Sequence, residues 1–269
     1  MTVPRYICSE IDLPLCKTLG IEQTVYNAFS TTILGLQINS PYSLALLLIS
    51  VVCANRMISH VDSLYSSIGR GEMKTFFYLY MISNSLLVCT LCFDKLLGDD
   101  GLKFLNVLQA AFQSTMFFSL FTGGMTIDKI YGVFGMKSAS VMQILSTIYF
   151  VMISTFIYIF VAIKNRELIT ILVSIETGCI VLYLGSQIKN LRKSNGEIWG
   201  YGVLWVIFMF FVMSKIHTVL CANLVARLSE RSLDNMFFNI CYTFLVVMMC
   251  HKFWLSTYDF ELECLALNV

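Results

Sequence analysis

The chain has 269 residues, of which 57% are hydrophobic and 13% are charged, and its formal net charge is +1. A typical globular domain carries about 25% charged residues, so this sequence lacks the charge needed to cover the surface of a soluble protein. The near-zero net charge also gives no electrostatic support to nucleic-acid binding. The composition therefore predicts a protein whose solvent is the lipid bilayer.

Seven apolar blocks follow one another along the chain and are separated by short polar strips. A hydrocarbon core about 30 Å thick needs about 20 apolar residues per helical span. The blocks have this length and are continuously apolar, whereas the strands of a membrane barrel are shorter and alternate with period two. The sequence predicts an all-α membrane protein, a seven-transmembrane-helix bundle with spans at 31–54, 75–93, 104–127, 139–163, 168–187, 199–226 and 236–255.

The predicted organisation has three parts: an N-terminal lumenal segment at 1–30, a membrane domain at 31–255 and a short acidic cytosolic tail at 256–269. The stretch Asn39–Pro41 interrupts the first span. This span is therefore either kinked or begins later, because proline removes a backbone donor and crowds the preceding turn. Lys and Arg divide almost evenly between the two sides of the predicted spans, so the positive-inside rule gives only a weak lean toward a non-cytosolic N-terminus.

Three ionisable residues are the clear cases inside the predicted spans: Glu176 in the fifth, and Lys215 and His217 in the sixth. Charged groups are costly in lipid and are functional candidates by default. Lys215 and His217 are two residues apart, so they point to nearly opposite faces of a helix. A pair between Glu176 and Lys215 would cancel both charges. It would belong either to a proton or ion pathway or to a structural clamp, and the lack of further acids favours the clamp.

The sequence contains no catalytic motif. Cys89-x-x-Cys92 has the spacing of a redox or zinc motif, but it lies at the end of an apolar span without a second pair, and the three histidines are scattered. A G-x-S-x-G elbow, a phosphate-binding glycine loop and an H-E-x-x-H motif are all missing from the sequence. Gly123 and Gly124 are interpreted as sites of close helix packing. We therefore predict a protein that is not an enzyme and uses neither a metal ion nor a cofactor.

The two polar ends of the chain each allow two interpretations. Cys8 and Cys16 lie together in the N-terminal segment, and they can form a disulfide if this segment faces an oxidising lumen; a reduced pair is the alternative. Asp259, Glu261 and Glu263 make the C-terminal tail acidic. They form either an export signal that vesicle coat proteins read or a solvated tail without a specific reader.

Several short stretches appear in a fixed order along the chain. Residues 8–16 contain a cysteine, a short spacer and Leu-Pro-Leu-Cys. Gly-Arg-Gly-Glu at 69–72 is followed by Thr-Phe-Phe-Tyr-Leu-Tyr at 75–80. The third span has Gln109 near its start and Gly123 near its end. Each stretch is too short to indicate a family by itself, but several of them in this order do.

The longest of these ordered stretches lies at the C-terminus. It contains Asp234-x-x-Phe-Phe, Val-Val-Met-Met at 246–249, Lys-Phe-Trp at 252–254 and the acidic Asp-Phe-Glu-Leu-Glu at 259–263. Together with the N-terminal stretches, this pattern resembles the fungal chitin synthase export chaperones over nearly the whole chain. The sequence departs from the family pattern around residues 22–36, and the middle of the chain is only weakly similar.

The resemblance implies a multi-pass membrane protein of the endoplasmic reticulum with a lumenal N-terminus and a cytosolic C-terminus. It implies a chaperone that is needed for folding a chitin synthase and for its export to the cell surface. The synthase would be the partner, with lipid around both proteins. On this interpretation Arg70, Glu72, Asp234 and Trp254 contact the client.

Two other functions remain open on the sequence. Seven spans also suit a receptor or a small-solute transporter, in which Glu176 and Lys215 would form the transport site. In the second alternative, the chain is a stable subunit of the synthase and not a chaperone that binds it transiently.

Overall fold

Seven long helices dominate the structure, a computed structural model that describes residues 14–19, 31–33, 36–38, 40–64, 69–93, 98–129, 138–165, 167–193, 198–217 and 235–256. A one-turn helix and a two-stranded hairpin precede them. The elements in chain order are α1 (Pro14–Thr18), β1 (Thr31–Ile33), β2 (Leu36–Ile38), α2 (Pro41–Ser63), α3 (Arg70–Cys92), α4 (Gly98–Lys129), α5 (Ser138–Ala162), α6 (Leu168–Lys193), α7 (Ile198–Ile216) and α8 (Asn235–Ser256).

The seven helices α2 to α8 are each long and apolar enough to cross a membrane, and they are the only such helices in the described part of the chain. They range from 19 residues in α7 to 32 residues in α4. At a rise of about 1.5 Å per residue, the shortest of them is nearly as long as the hydrocarbon core is thick. The predicted fold class, an all-α seven-helix membrane bundle, is confirmed.

The predicted start of the first span at residue 31 is wrong. The threonines and isoleucine of β1 suit a strand, and β1 pairs with β2 in an antiparallel hairpin in which Thr31 lies opposite Ile38. The helix begins only at Pro41, which occupies its first turn, where proline has no hydrogen bond to lose. The helix then continues to Ser63 and so reaches the required length. The sequence-based alternative of a later start is the correct one.

Other helix bounds also differ from the predicted spans. Polar residues extend α3 to Arg70, α4 to Lys129 and α6 to Lys193. Hydropathy detects only the part of a helix that lies in hydrocarbon, so polar turns at the helix ends escape it. Helix α7, which corresponds to the sixth predicted span, ends at Ile216. Residues 218–226 of that predicted span lie outside the described residues.

Six of the long helices form a closed ring. Helix α2 packs against α3, α3 against α4, α4 against α6, α6 against α7, α7 against α8, and α8 returns to α2. Helix α5 lies outside this ring and packs against α3 and α4. The interior is filled by large apolar side chains such as Phe76, Met116, Ile180 and Ile207. Helix α5 consequently keeps the largest lipid-facing surface, with side chains such as Met152 exposed.

Helix α5 approaches the ring closely at Gly71. A Cβ atom added there would lie 2.5 Å from the Cβ of Ala139, a distance that real carbon atoms do not adopt. Gly71 therefore lets the first turns of α3 and α5 touch. Gly178, in α6, makes no such approach, because no heavy atom lies within 4 Å of the corresponding position.

We expect Gly71→Ala to destabilise the protein by about 1–3 kcal/mol, because the added methyl group forces α3 and α5 apart. Gly178→Ala is the matched control, and it should be neutral or gain up to about 1 kcal/mol of helix propensity. Thermal unfolding midpoints of the two variants in the same detergent provide the measurement. Equal shifts in both variants would contradict the close contact between α3 and α5.

Candidate functional site

Two groups of polar side chains lie inside the bundle. The first group, which we call the ion-pair network, is centred on Glu176 and Lys215. The second group lines a crevice at the end of the ring where α8 finishes at Ser256, and we call it the Glu72 crevice. The two groups differ in the state of their acids. Glu176, in the ion-pair network, has hydrogen-bond partners, whereas Glu72, in the crevice, has none among the described residues.

The ion-pair network joins α4, α6 and α7. Lys215 Nζ donates a hydrogen bond to Glu176 Oε2 at 2.8 Å, and Gln113 Nε2 donates to Glu176 Oε1 at 3.2 Å. Gln109 lies one turn before Gln113 and donates to its Oε1 at 3.1 Å. The Lys215 ammonium also lies 5.1 Å from the centroid of the Phe211 ring, within reach of a cation–π attraction. Both oxygens of the buried carboxylate are therefore occupied.

A small polar cavity of about 40 Å³ continues this network toward α3 and α8. Asn84 at its edge donates to Ser50 Oγ at 2.8 Å and so joins α3 to α2. Asn239 accepts a hydrogen bond from Ser214 Oγ at 2.9 Å and joins α8 to α7. Hydrogen bonds between helices hold membrane bundles together. The cavity is thus surrounded by side chains that cross-link the ring.

His217 takes no part in the ion-pair network. It is buried and packs on α8, with its ring centroid 4.5 Å from that of Phe238 and 6.0 Å from that of Tyr242. Lys215 faces α6 instead. The two residues therefore face different helices, as their two-residue separation predicts.

The Glu72 crevice lies at the Ser256 end of the ring. Its volume is about 50 Å³, and its walls come from α3, α4, α5, α6 and α8. The side chains that shape it include Glu72, Phe76, Met142, Tyr183, Gln187 and Trp254. Glu72 is only 8% exposed, and so is Trp254. The crevice therefore combines a buried acid with an aromatic wall.

Glycines bring the walls of the crevice together. A Cβ atom at Gly123 would touch Glu72 Cβ and Met142 Sδ, both at 3.6 Å. One at Gly124 would lie 2.9 Å from Gln187 Nε2, closer than packed atoms allow. The prediction that Gly123 and Gly124 permit close helix packing agrees with this geometry. The same two residues leave the space into which the Glu72 side chain projects.

Gly69 forms the rim of the crevice and precedes the first residue of α3. Its φ of +78° lies in the left-handed region that glycine adopts without strain. A Cβ atom there would lie 3.5 Å from Trp254 Nε1. Gly69 therefore both turns the chain into α3 and leaves room beside the indole.

The sequence predicts that Arg70 and Glu72 both contact the client, and this stays a prediction; within the protein the two side chains meet different neighbours. Arg70 donates to Oδ1 and to the backbone oxygen of Asp62, each at 3.0 Å, and Lys74 Nζ also reaches Asp62 Oδ1 at 2.6 Å. This cluster ties the start of α3 to the end of α2. Both residues lie on the helix and not on a loop before it.

The remaining predicted site residues are only partly described. Trp254 lies on α8 and lines the crevice with Glu72. Cys16 is fully buried and disulfide-bonded; Cys8 lies outside the described residues, so their pairing stays a prediction. Asp234 and the tail acids Asp259, Glu261 and Glu263 also lie outside them. Among the described residues, no cluster of three or more His, Cys, Asp or Glu side chains can hold a metal ion.

Sequence reasoning missed three residues that the structure brings to these sites. Gln113 belongs to the ion-pair network, Gln187 to the crevice and Asp62 to the Arg70 cluster. Gln109 and Gln113 could have been linked by their four-residue spacing, which places both on one helix face. Gln187 and Asp62 carry no such signal, because their partners come from other helices.

Comparison with known proteins gives one consistent result. The sequence profile of a family described as "Chitin synthase export chaperone" matches residues 4–266. Proteins with that name from Aspergillus oryzae and Chaetomium globosum are 23% and 24% identical to this chain, over 92% and 96% of it and over 80% and 82% of their own lengths. The protein from Neurospora crassa is 24% identical over 96% of this chain and 76% of its own length. No solved structure matches.

We expect Lys215→Met to destabilise the bundle by about 3–5 kcal/mol, because the substitution leaves the Glu176 carboxylate buried with only Gln113 as a partner. The double variant Glu176→Gln/Lys215→Met should recover most of this loss, since no buried charge remains. Lys103→Met is the control, because the Lys103–Asp100 pair is exposed and contributes about 0–1 kcal/mol. Unfolding in detergent measures all three. A double variant no more stable than Lys215→Met would contradict the pairing.

Proposed function

This chain belongs to the chitin synthase export chaperone family, and we propose that it assists the folding of a chitin synthase and its export from the endoplasmic reticulum to the cell surface. The observation that carries this proposal is the family match over residues 4–266. It covers all seven membrane helices.

The Ser256 end of the ring is the proposed client-facing end. Its support is the convergence of Glu72 and Trp254 in one crevice, both of which lie in stretches that resemble the family. Arg70 contributes through the Asp62 cluster, which holds the start of α3 beside this crevice. Asp234 completes the proposed contact set on the strength of the family resemblance alone.

We assign the ion-pair network a structural role. Both Glu176 oxygens accept hydrogen bonds from side chains of neighbouring helices, and a third helix is linked through Gln109 and Gln113 on α4. A transport site needs an acid that can exchange partners, whereas this one is held on both sides. The ion-pair network holds α4, α6 and α7 in fixed relative positions while the client binds at the crevice.

The proposed topology places the N-terminus in the lumen and the C-terminus in the cytosol. The disulfide at Cys16 supports a lumenal N-terminus, because disulfides persist in oxidising compartments. The cytosolic tail would then present Asp259, Glu261 and Glu263 to vesicle coat proteins. The chaperone carries out no chemical reaction on its client in this proposal.

Deleting the chain should retain chitin synthase in the endoplasmic reticulum and lower its amount at the cell surface severalfold. Surface labelling of a tagged synthase measures this, and a plasma-membrane protein of unrelated fold is the control. Normal surface levels of the synthase would refute the proposal. Co-purification of the two proteins from the plasma membrane would show a stable subunit instead of a transient escort.

Peptide mapping without reducing agent tests the topology. We expect a disulfide-linked peptide that contains Cys8 and Cys16, and Cys8→Ser should release Cys16 as a free thiol. Cys89 and Cys92 are free in the structure and serve as internal controls, since they should stay alkylatable in the unfolded protein. A free Cys16 thiol in the wild-type protein would contradict an oxidised, lumenal N-terminal segment.

A further inference from the structure

Glu72 is the acid of the crevice, and it has no partner among the residues that the structure describes. Its side chain is 8% exposed, and it forms no hydrogen bond or ion pair with any described residue. Arg70 and Lys74, the nearest cations along the chain, are both turned toward Asp62 on α2. A carboxylate shielded from water is stabilised by an opposite charge. None of the described residues supplies that charge to Glu72, so the crevice can accept a cation from outside.

The walls of the crevice suit a cation. Phe76, Tyr183 and Trp254 line it beside Glu72, and the faces of aromatic rings attract ammonium and guanidinium groups, tryptophan most strongly. Gln187 adds an amide that can accept a further hydrogen bond from a cationic donor. A carboxylate, aromatic faces and an amide oxygen are together the groups that hold the end of a lysine or arginine side chain.

The size of the crevice limits what can enter. A volume of about 50 Å³ accommodates a few water molecules or the end of one side chain. The crevice also lies between helices, with walls from α3, α4, α6 and α8 of the ring and from α5 beside it. These two constraints favour a side chain that a partner protein inserts at the Ser256 end of the ring.

We propose that the Glu72 crevice recognises one basic side chain, a lysine or an arginine, of the client chitin synthase. This inference rests on the proposed function and adds the chemistry of the contact. Insertion of the cation neutralises Glu72 and covers Trp254, and both effects favour binding of the client.

Glu72→Gln tests the charge with little change of shape. We expect it to weaken co-purification of the synthase by about tenfold or more, because removing one member of a buried charge pair has at least this effect. The thermal midpoint of the purified chaperone should stay the same or rise, because the substitution breaks no ion pair among the described residues. Glu72→Asp keeps the charge and should retain part of the binding. Glu167→Gln, at an exposed acid at the start of α6, is the matched control and should behave as wild type.

Two results would overturn the proposal. Glu72 lies in the first turn of α3, where a carboxylate also favours the helix itself. If that is its only role, Glu72→Gln lowers the thermal midpoint and leaves synthase binding unchanged. Deletion of the chain separates this failure from a failure of the proposed function. If the synthase needs the chaperone to reach the cell surface but does so normally with the Glu72→Gln variant, only the assignment of the crevice is contradicted.

A photo-crosslinking residue in place of Met142, which lines the crevice, identifies the occupant. We expect a crosslinked peptide of the synthase that contains a lysine or arginine, and we expect Glu72→Gln to abolish the crosslink. A peptide without a basic residue would contradict the proposal. Crosslinking to phosphatidylethanolamine in vesicles that contain this lipid, with no synthase peptide recovered from cells, would assign the crevice to a lipid amine instead.

Discussion

Hydrocarbon offers no hydrogen bonds, so every polar group within the membrane must find its partner inside the protein. The ion-pair network meets this requirement through Lys215 and Gln113, which occupy both oxygens of Glu176. Because the three residues come from three helices, satisfying one carboxylate also sets the relative positions of α4, α6 and α7. The closed ring, and the crevice at its end, depend on that register.

The Glu72 crevice arises from a different feature, the close packing of helices at glycine. Gly71 brings α5 against α3, and Gly123 and Gly124 bring α4 close to α3 and α6. Small residues are what helices in lipid use to approach one another. Here the missing side chains also leave room for Glu72 and Trp254 to face the same space. The two acids thus differ in kind: Glu176 pairs with residues of neighbouring helices, whereas Glu72 has no partner among the described residues.

Hydropathy was sufficient to predict all seven membrane helices, because length and apolarity alone decide whether a helix can span a bilayer. It failed at the first span, where the residues of β1 and β2 are apolar enough to extend a helix but pair with each other as strands. The Glu176–Lys215 contact could be anticipated, since a lone acid and a lone base on neighbouring spans have few other partners in lipid. The role of Gln113 could not be anticipated, because an amide side chain has many possible hydrogen-bond partners.

The sequence by itself determined the membrane environment, the number of spans, the need for a partner at Glu176 and the family to which the chain belongs. Only the tertiary structure decided that Arg70 pairs with Asp62 while Glu72 turns into the crevice. Two residues along a helix are separated by about 200° around its axis, so Arg70 and Glu72 must face different neighbours. Which neighbours they meet depends on how distant segments pack, and no local pattern in the chain records that arrangement.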